Sequence, residues 1–217
     1  MSSALVPPSF LFRFSAPCYY QKDLWNKNGA QLTPRHQLPP FASLNGGQAF
    51  ASVRLGWSEQ GIAFRLTVKG KSEPPASNPA RLDASDAFGL WIDTRNTPGI
   101  HRASRFCHRF LFLPDGGGRK GEEAYGFMLR INRAKDDPKT YSSTLYPAKC
   151  DIKKTGYILD GLVPAEALSG FDPGEHPKLG FFYAVADREL GWNTWSLGPE
   201  FPFAEDPSLW GTLELVP

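Results

Sequence analysis

His101, Cys107 and His108, interleaved with Arg102, Arg105 and Arg109, make residues 101–109 the densest run of reactive side chains in the chain. Imidazole beside thiol points to a metal centre or a nucleophile with its base, whereas guanidinium groups point to a planar fork for carboxylate or hydroxyl oxygens. Spacing weighs against the first two uses. The run has strand composition, and strand side chains alternate between faces. His101 and His108, seven positions apart, therefore point opposite ways, as do the neighbours Cys107 and His108. A metal-dependent or hydrolytic site here needs a bend or groups from elsewhere. Arg105, Cys107 and Arg109 share one face, which suits recognition of an oxygen-rich ligand or a solvated, salt-bridged edge.

Other reactive groups select no enzyme class. Glu122 with Glu123, and Asp136 with Asp137, are adjacent acids whose position in sequence does not set the separation that glycoside hydrolysis requires. No GxSxG elbow is present. The Gly116–Gly121 stretch has Lys120 without the following Ser or Thr of a phosphate loop and reads as a hairpin loop. Cys18, Cys107 and Cys150 are an odd number without a CxxC pair, so reduced thiols are expected.

These residues must be positioned by strands. Twenty-one glycines and twenty prolines cut the chain into short runs rich in β-branched and aromatic residues. Val53, Leu55 and Trp57, then Ile62, Phe64, Leu66 and Val68, alternate with polar or small residues about Ser58–Gly61, a hairpin with one buried face. Further strands are predicted at residues 86–93, 105–113, 124–132, 157–163, 179–187 and 209–216, with one short helix at Pro164–Leu168 closed by Gly170. The expected fold is all-β: a two-sheet antiparallel sandwich of jelly-roll or immunoglobulin-like type, one domain over 1–217. Residues 45–216 would form the sandwich, and the irregular, proline-rich 1–44 would wrap its edge. The 24 basic and 22 acidic side chains nearly cancel to +2, so no overall field draws nucleic acid or an anionic membrane. Met1–Phe14 lacks signal-peptide character, which implies a cytoplasmic chain, the alternative being a secreted one whose leader has been removed. No feature sets an oligomeric state.

Four stretches, in order, resemble the family 9 carbohydrate-binding modules, DOMON-like β-sandwiches. Asp86-Ala87-Phe88-Gly89-Leu90-Trp91-Ile92-Asp93 resembles a family strand that opens and closes with Asp. Thr155-Gly156-Tyr157-Ile158-Leu159-Asp160 resembles its "GGY" strand, and Lys178–Asp187 the strand in which a Gly-Phe pair leads to an Asp. Asp206-Pro207-Ser208-Leu209-Trp210-Gly211 resembles its closing strand. The resemblance implies a sandwich that binds sugar, with calcium at strand ends. Its calcium residues would be Asp86, Asp93 and Asp187; the bland reading of these acids, and of Asp160, is turn capping. Arg109 stands where the family carries an arginine that reaches sugar hydroxyls. The family's two clamping tryptophans are absent: Asp83 or a neighbour stands at one position and Ala204 at the other, and a family Glu aligns with Gly89.

A sugar site would then need other aromatics. Trp91 shares a strand face with Ala87, Gly89 and Asp93, where it is either a groove wall or a core filler. Trp192 and Trp195, in a loop-like stretch after residue 187, are either a replacement platform or a cover for the sandwich end. Three functions stay open. The first is a non-catalytic module binding a sugar or polyhydroxylated ligand through Arg109, Trp91, Trp192, Trp195 and Arg105. The second is a structural or interaction sandwich that has lost sugar binding, and the third a metal or hydrolytic site on the His101–His108 segment.

Overall fold

Short alternating runs broken by glycine pair into strands wherever one face can be buried. The computed structural model describes residues 7–45 and 49–217, apart from the side chains of Ala42, Asn45 and Asp83. Among the described residues the strands are β1 (Ser15–Tyr20), β2 (Trp25–Asn26), β3 (Gly29–Ala30), β4 (Ala51–Ser58), β5 (Gly61–Lys69), β6 (Ala87–Asp93) and β7 (Cys107–Gly117). They continue with β8 (Glu123–Leu129), β9 (Ala148–Lys153), β10 (Gly156–Pro164), β11 (Lys178–Asp187), β12 (Gly191–Thr194) and β13 (Gly211–Val216). The β4–β5 hairpin turns tightly because Gly61 takes φ +134°, a region closed to residues with a Cβ.

The fold is all-β, but its hydrogen bonding does not divide into two antiparallel sheets. One path runs β8-β7-β6-β11-β13-β1-β4-β5-β10-β9, with β12 paired to β11, while β2 and β3 form a separate ribbon. β1 joins the two halves by lying parallel to both β13 and β4. The indole N–H of Trp57 on β4 donates to the carbonyl of Val216 on β13 at 3.1 Å, tying the strands on either side of β1. The sheet curls until β8 and β9, its two ends, touch. Phe64 on β5 thus meets Phe88 on β6 at 4.5 Å and Phe112 on β7 at 4.7 Å, although β5 is far from both along the hydrogen-bonded path. These rings centre the core.

Two expectations change. Residues 1–44 do more than wrap an edge: β1 is a central strand, Ala16 and Cys18 are buried, and only residues 1–6 of that segment lie outside the described residues. The helix expected at Pro164–Leu168 is a single 3-10 turn, Ala165–Ala167. Its N–H groups are partly taken by the hairpin: Ala165 donates to Gln60 at 2.9 Å. Among the described residues no helix is long and apolar enough to cross a membrane.

Candidate functional site

Alternation gives β6, β7 and β8 two different faces. Phe88, Leu90 and Ile92 pair with Phe112, Phe110 and His108 on the inner side. On the outer side the registers build two rows, Gly89–Leu111–Phe127 and Trp91–Arg109–Leu129. The indole of Trp91 lies over Gly89 so closely that a Cβ there would fall 2.7 Å from the ring. Phe203 and Phe182 meet the ring edge-on at 5.4 and 6.2 Å, and its N–H donates to the Ala204 carbonyl at 3.3 Å. Trp91 is only 3% exposed, so it forms the floor of this face and not a groove wall open to solvent.

Arg109 stands on that floor, its guanidinium 5.4 Å from the ring centre of Trp91. The side chain is largely withdrawn from water, and its buried Nε–H has no hydrogen-bond partner among the described residues. Burial lowers its pKa, while the negative field of Glu205 acts the other way. Glu205 accepts from Asn132 Nδ2 at 3.1 Å. Next to this polar edge lie the half-buried Tyr125 and Phe127, rings 5.2 Å apart, with Leu111 and Leu113 beneath. Leu82, beside Asp83, packs on that apolar cluster, and Ala204 contacts Trp91. Both positions that would carry a clamping tryptophan therefore border this face.

The other expected residues lie apart from it. Arg105 precedes β7, exposed, with its guanidinium 5.1 Å from its neighbour's ring at Phe106. Trp195 is fully buried against Phe181 and Phe41. Trp192 sits not in a loop but on β12, opposite Ala186 on β11, and is 54% exposed. It stands three strands from Arg109.

The 101–109 segment separates its reactive groups. His108 is fully buried: its Nε2 accepts from the Ser169 N–H at 2.9 Å, and its Nδ1–H faces the Ile92 carbonyl at 3.3 Å. Both nitrogens are used, and desolvation pushes its pKa down to about 4. Cys107 is buried and its pKa is pushed up to about 11 by desolvation, far from a thiolate nucleophile. His101 is exposed and lies at the mouth of an apolar cavity of about 610 Å³ formed by Phe10, Phe12, Phe14, Phe201 and Trp210. Ser208 Oγ and Asp206 Oδ2 reach it at 3.1 and 3.0 Å, but both contact Nδ1. A serine-hydrolase relay needs acid and hydroxyl on opposite ring nitrogens, so this trio does not form one. Among the described residues no three His, Cys, Asp or Glu side chains are grouped to hold a metal.

The calcium expectation fails a test of fit. Asp86 and Asp187 meet at one end of the β6–β11 pair, whereas Asp93 lies at the other, opposite Gly180. Asp93 caps its own turn, accepting from Arg95 N at 2.9 Å and Thr97 N at 2.8 Å. Between Asp86 and Asp187 stands the ammonium of Lys71. Asp160 is taken by a bidentate bond from Arg65, both contacts 2.7 Å. Sequence reasoning missed Lys71, Tyr125, Phe127, Asn132 and Glu205. The period-two pattern of Tyr125, Phe127 and Leu129 was the available signal for the first face, and a lone loop lysine offers none.

No protein-family model and no curated protein matches the sequence. Among solved structures the fold is that of the family 9 carbohydrate-binding modules. One from Caldicellulosiruptor kristjanssonii, in complex with cellotriose, superposes with a TM-score of 0.63 and 10% identity over 94% of each chain. A second structure from that organism, in complex with glucose, gives 0.62 and 11% over 93% of this chain and 95% of that one. A chain from Bacteroides uniformis gives 0.50 and 15% over 76% and 78%. At these identities the likeness is one of fold, and the chain shares it nearly end to end.

Proposed function

We propose that the outer face of β6, β7 and β8 binds a carbohydrate or a similar polyhydroxylated ligand without catalysis. The observation that carries this reading is the buried Nε–H of Arg109 with no partner, set beside partly exposed aromatic rings. A buried polar group without a partner costs about 1–3 kcal/mol, more if charged. An incoming hydroxyl or carboxylate oxygen relieves that cost. Sugars offer an apolar ring face and planar arrays of oxygens, which match Tyr125 and Phe127 on one side and Arg109, Asn132 and Glu205 on the other. The Caldicellulosiruptor modules of the same fold were solved with cellotriose and glucose, which supports the ligand class.

The test is a glycan screen followed by calorimetric titration of the wild type and Arg109→Met, a substitution that keeps the stem over Trp91 and removes the charged donors. Binding to at least one soluble glycan, weakened at least about tenfold by Arg109→Met, is the expected result. A folded wild type silent across a broad panel would instead favour the structural or protein-interaction sandwich.

A further inference from the structure

Lys71 lies in the loop after β5, yet its side chain is only 2% exposed. Its Nζ is 2.8 and 2.9 Å from the two oxygens of Asp187, 3.3 Å from Asp86 Oδ2 and 3.9 Å from Glu189 Oε2. The Asp86 and Asp187 side chains are 1% and 0% exposed. The near contacts of the ammonium are thus both oxygens of Asp187 and one of Asp86. The remaining acceptor capacity goes to backbone. Asp86 accepts from Arg188 N at 2.7 Å and Ala76 N at 2.9 Å, Asp187 from Glu189 N and Leu190 N at 3.0 and 2.9 Å, and Glu189 from Ser72 N at 2.8 Å.

Two carboxylates gathered out of water repel each other and lose hydration, and a cation between them offsets both costs. Where a fold brings such acids together at strand ends, a hard divalent ion with oxygen ligands is one solution. This chain carries another. We propose that Lys71 is a tethered cation standing in for a divalent ion: it offsets one of the two negative charges of Asp86 and Asp187, backbone N–H groups support the rest, and this end of the fold is independent of calcium. The clamp also has a position in the site. It ties the first part of the loop between β5 and β6, at Ser72 and Ala76, to Glu189 and to Asp86 at the loop's far end, and that loop carries Leu82 onto the Leu111–Leu113 cluster beside Arg109.

The corollary is that removing the ammonium leaves Asp86 and Asp187 open to a divalent cation in its place. Thermal unfolding of the full chain in chelator and in millimolar calcium tests it, with the wild type, Lys71→Ala and the double variant Lys71→Ala/Asp187→Asn. The wild-type Tm is expected to differ by less than about 1 °C between the two buffers, and that of Lys71→Ala to rise by about 5 °C or more in calcium. The double variant is expected to show no such rise. Terbium luminescence should appear with Lys71→Ala and not with the other two. If Lys71→Ala is unfolded in chelator, calcium is expected to refold it, read by circular dichroism. A wild-type Tm that drops in chelator and returns with calcium overturns the proposal without recourse to any variant. So does a Lys71→Ala chain as indifferent to calcium as the double variant, or one that stays unfolded in its presence.

Discussion

Lys71 and Arg109 are both cations drawn out of water, and the fold treats them in opposite ways. The ammonium of Lys71 is held between the carboxylates of Asp86 and Asp187. Arg109 keeps a buried Nε–H that meets nothing among the described residues, and Glu205 acts on it only as a field. A buried charge matched within the chain is closed and serves the fold. One with an unmatched donor is open to an acceptor from outside. A buried lysine and a partly buried arginine are thus distinguished by their acceptors.

The comparison breaks first at Asp187. Asp187→Ala leaves Lys71 buried with only part of its compensation, at a cost of about 3–5 kcal/mol. Thermal melts should show Tm lower by roughly 10 °C. His108 sharpens the contrast as a third buried basic group, one kept neutral on the inner face of the strand that bears Arg109. Its folded pKa of about 4 lies below the ordinary 6.5, so the unfolded chain takes up a proton first as pH falls. The stability it protects is complete above pH 6.5 and is lost between there and pH 4, by about 2 kcal/mol on going from pH 7 to pH 5. His36, whose pKa burial also lowers, adds in the same sense. Asp93, whose carboxyl is pushed up by burial, acts oppositely just above its ordinary range. Denaturant titrations at the two pH values should therefore separate the wild type from His108→Gln, the variant showing the smaller loss.

Gly89→Ala probes the seat of Arg109. The added Cβ forces the Trp91 ring off the sheet, and because a ring edge and not backbone must move, the expected cost is about 1 kcal/mol in a denaturant titration. Arg109→Met is the counterpart of Asp187→Ala: it deletes a charge held only by the Trp91 ring and the field of Glu205, and stability should stay within about 1 kcal/mol of the wild type. Trp192→Ala removes an exposed ring on a strand remote from Arg109, so stability should change by less than about 0.5 kcal/mol.

How much of this was legible in the sequence follows from what each signal encodes. Alternation marked β4 and β5, where one face is buried, and runs of β-branched and aromatic residues marked β6, β10 and β11, each within a residue or two. It carries no record of which strand edges hydrogen-bond, so the single curled sheet, with β1 parallel to two neighbours, was not visible. Pro17 within Ser15–Tyr20 hid β1, since proline argues against a central strand. Arg109 was found through family likeness and strand parity. Trp195 looked available because aromatic residues near a strand end serve equally as platform or plug, and only the packing of Phe41 and Phe181 on its ring decides. Lys71 left no trace, since its partners Asp86 and Asp187 are 15 and 116 positions away and meet it only in the folded chain.

Calorimetric titration of one glycan that binds the wild type, repeated with Arg109→Met and with Trp192→Ala, bears most directly on the outer face of β6, β7 and β8 as the binding site. The account predicts affinity reduced at least about tenfold in Arg109→Met and unchanged in Trp192→Ala, with both proteins folded. Full affinity in Arg109→Met together with loss in Trp192→Ala would contradict it and move the site to β12.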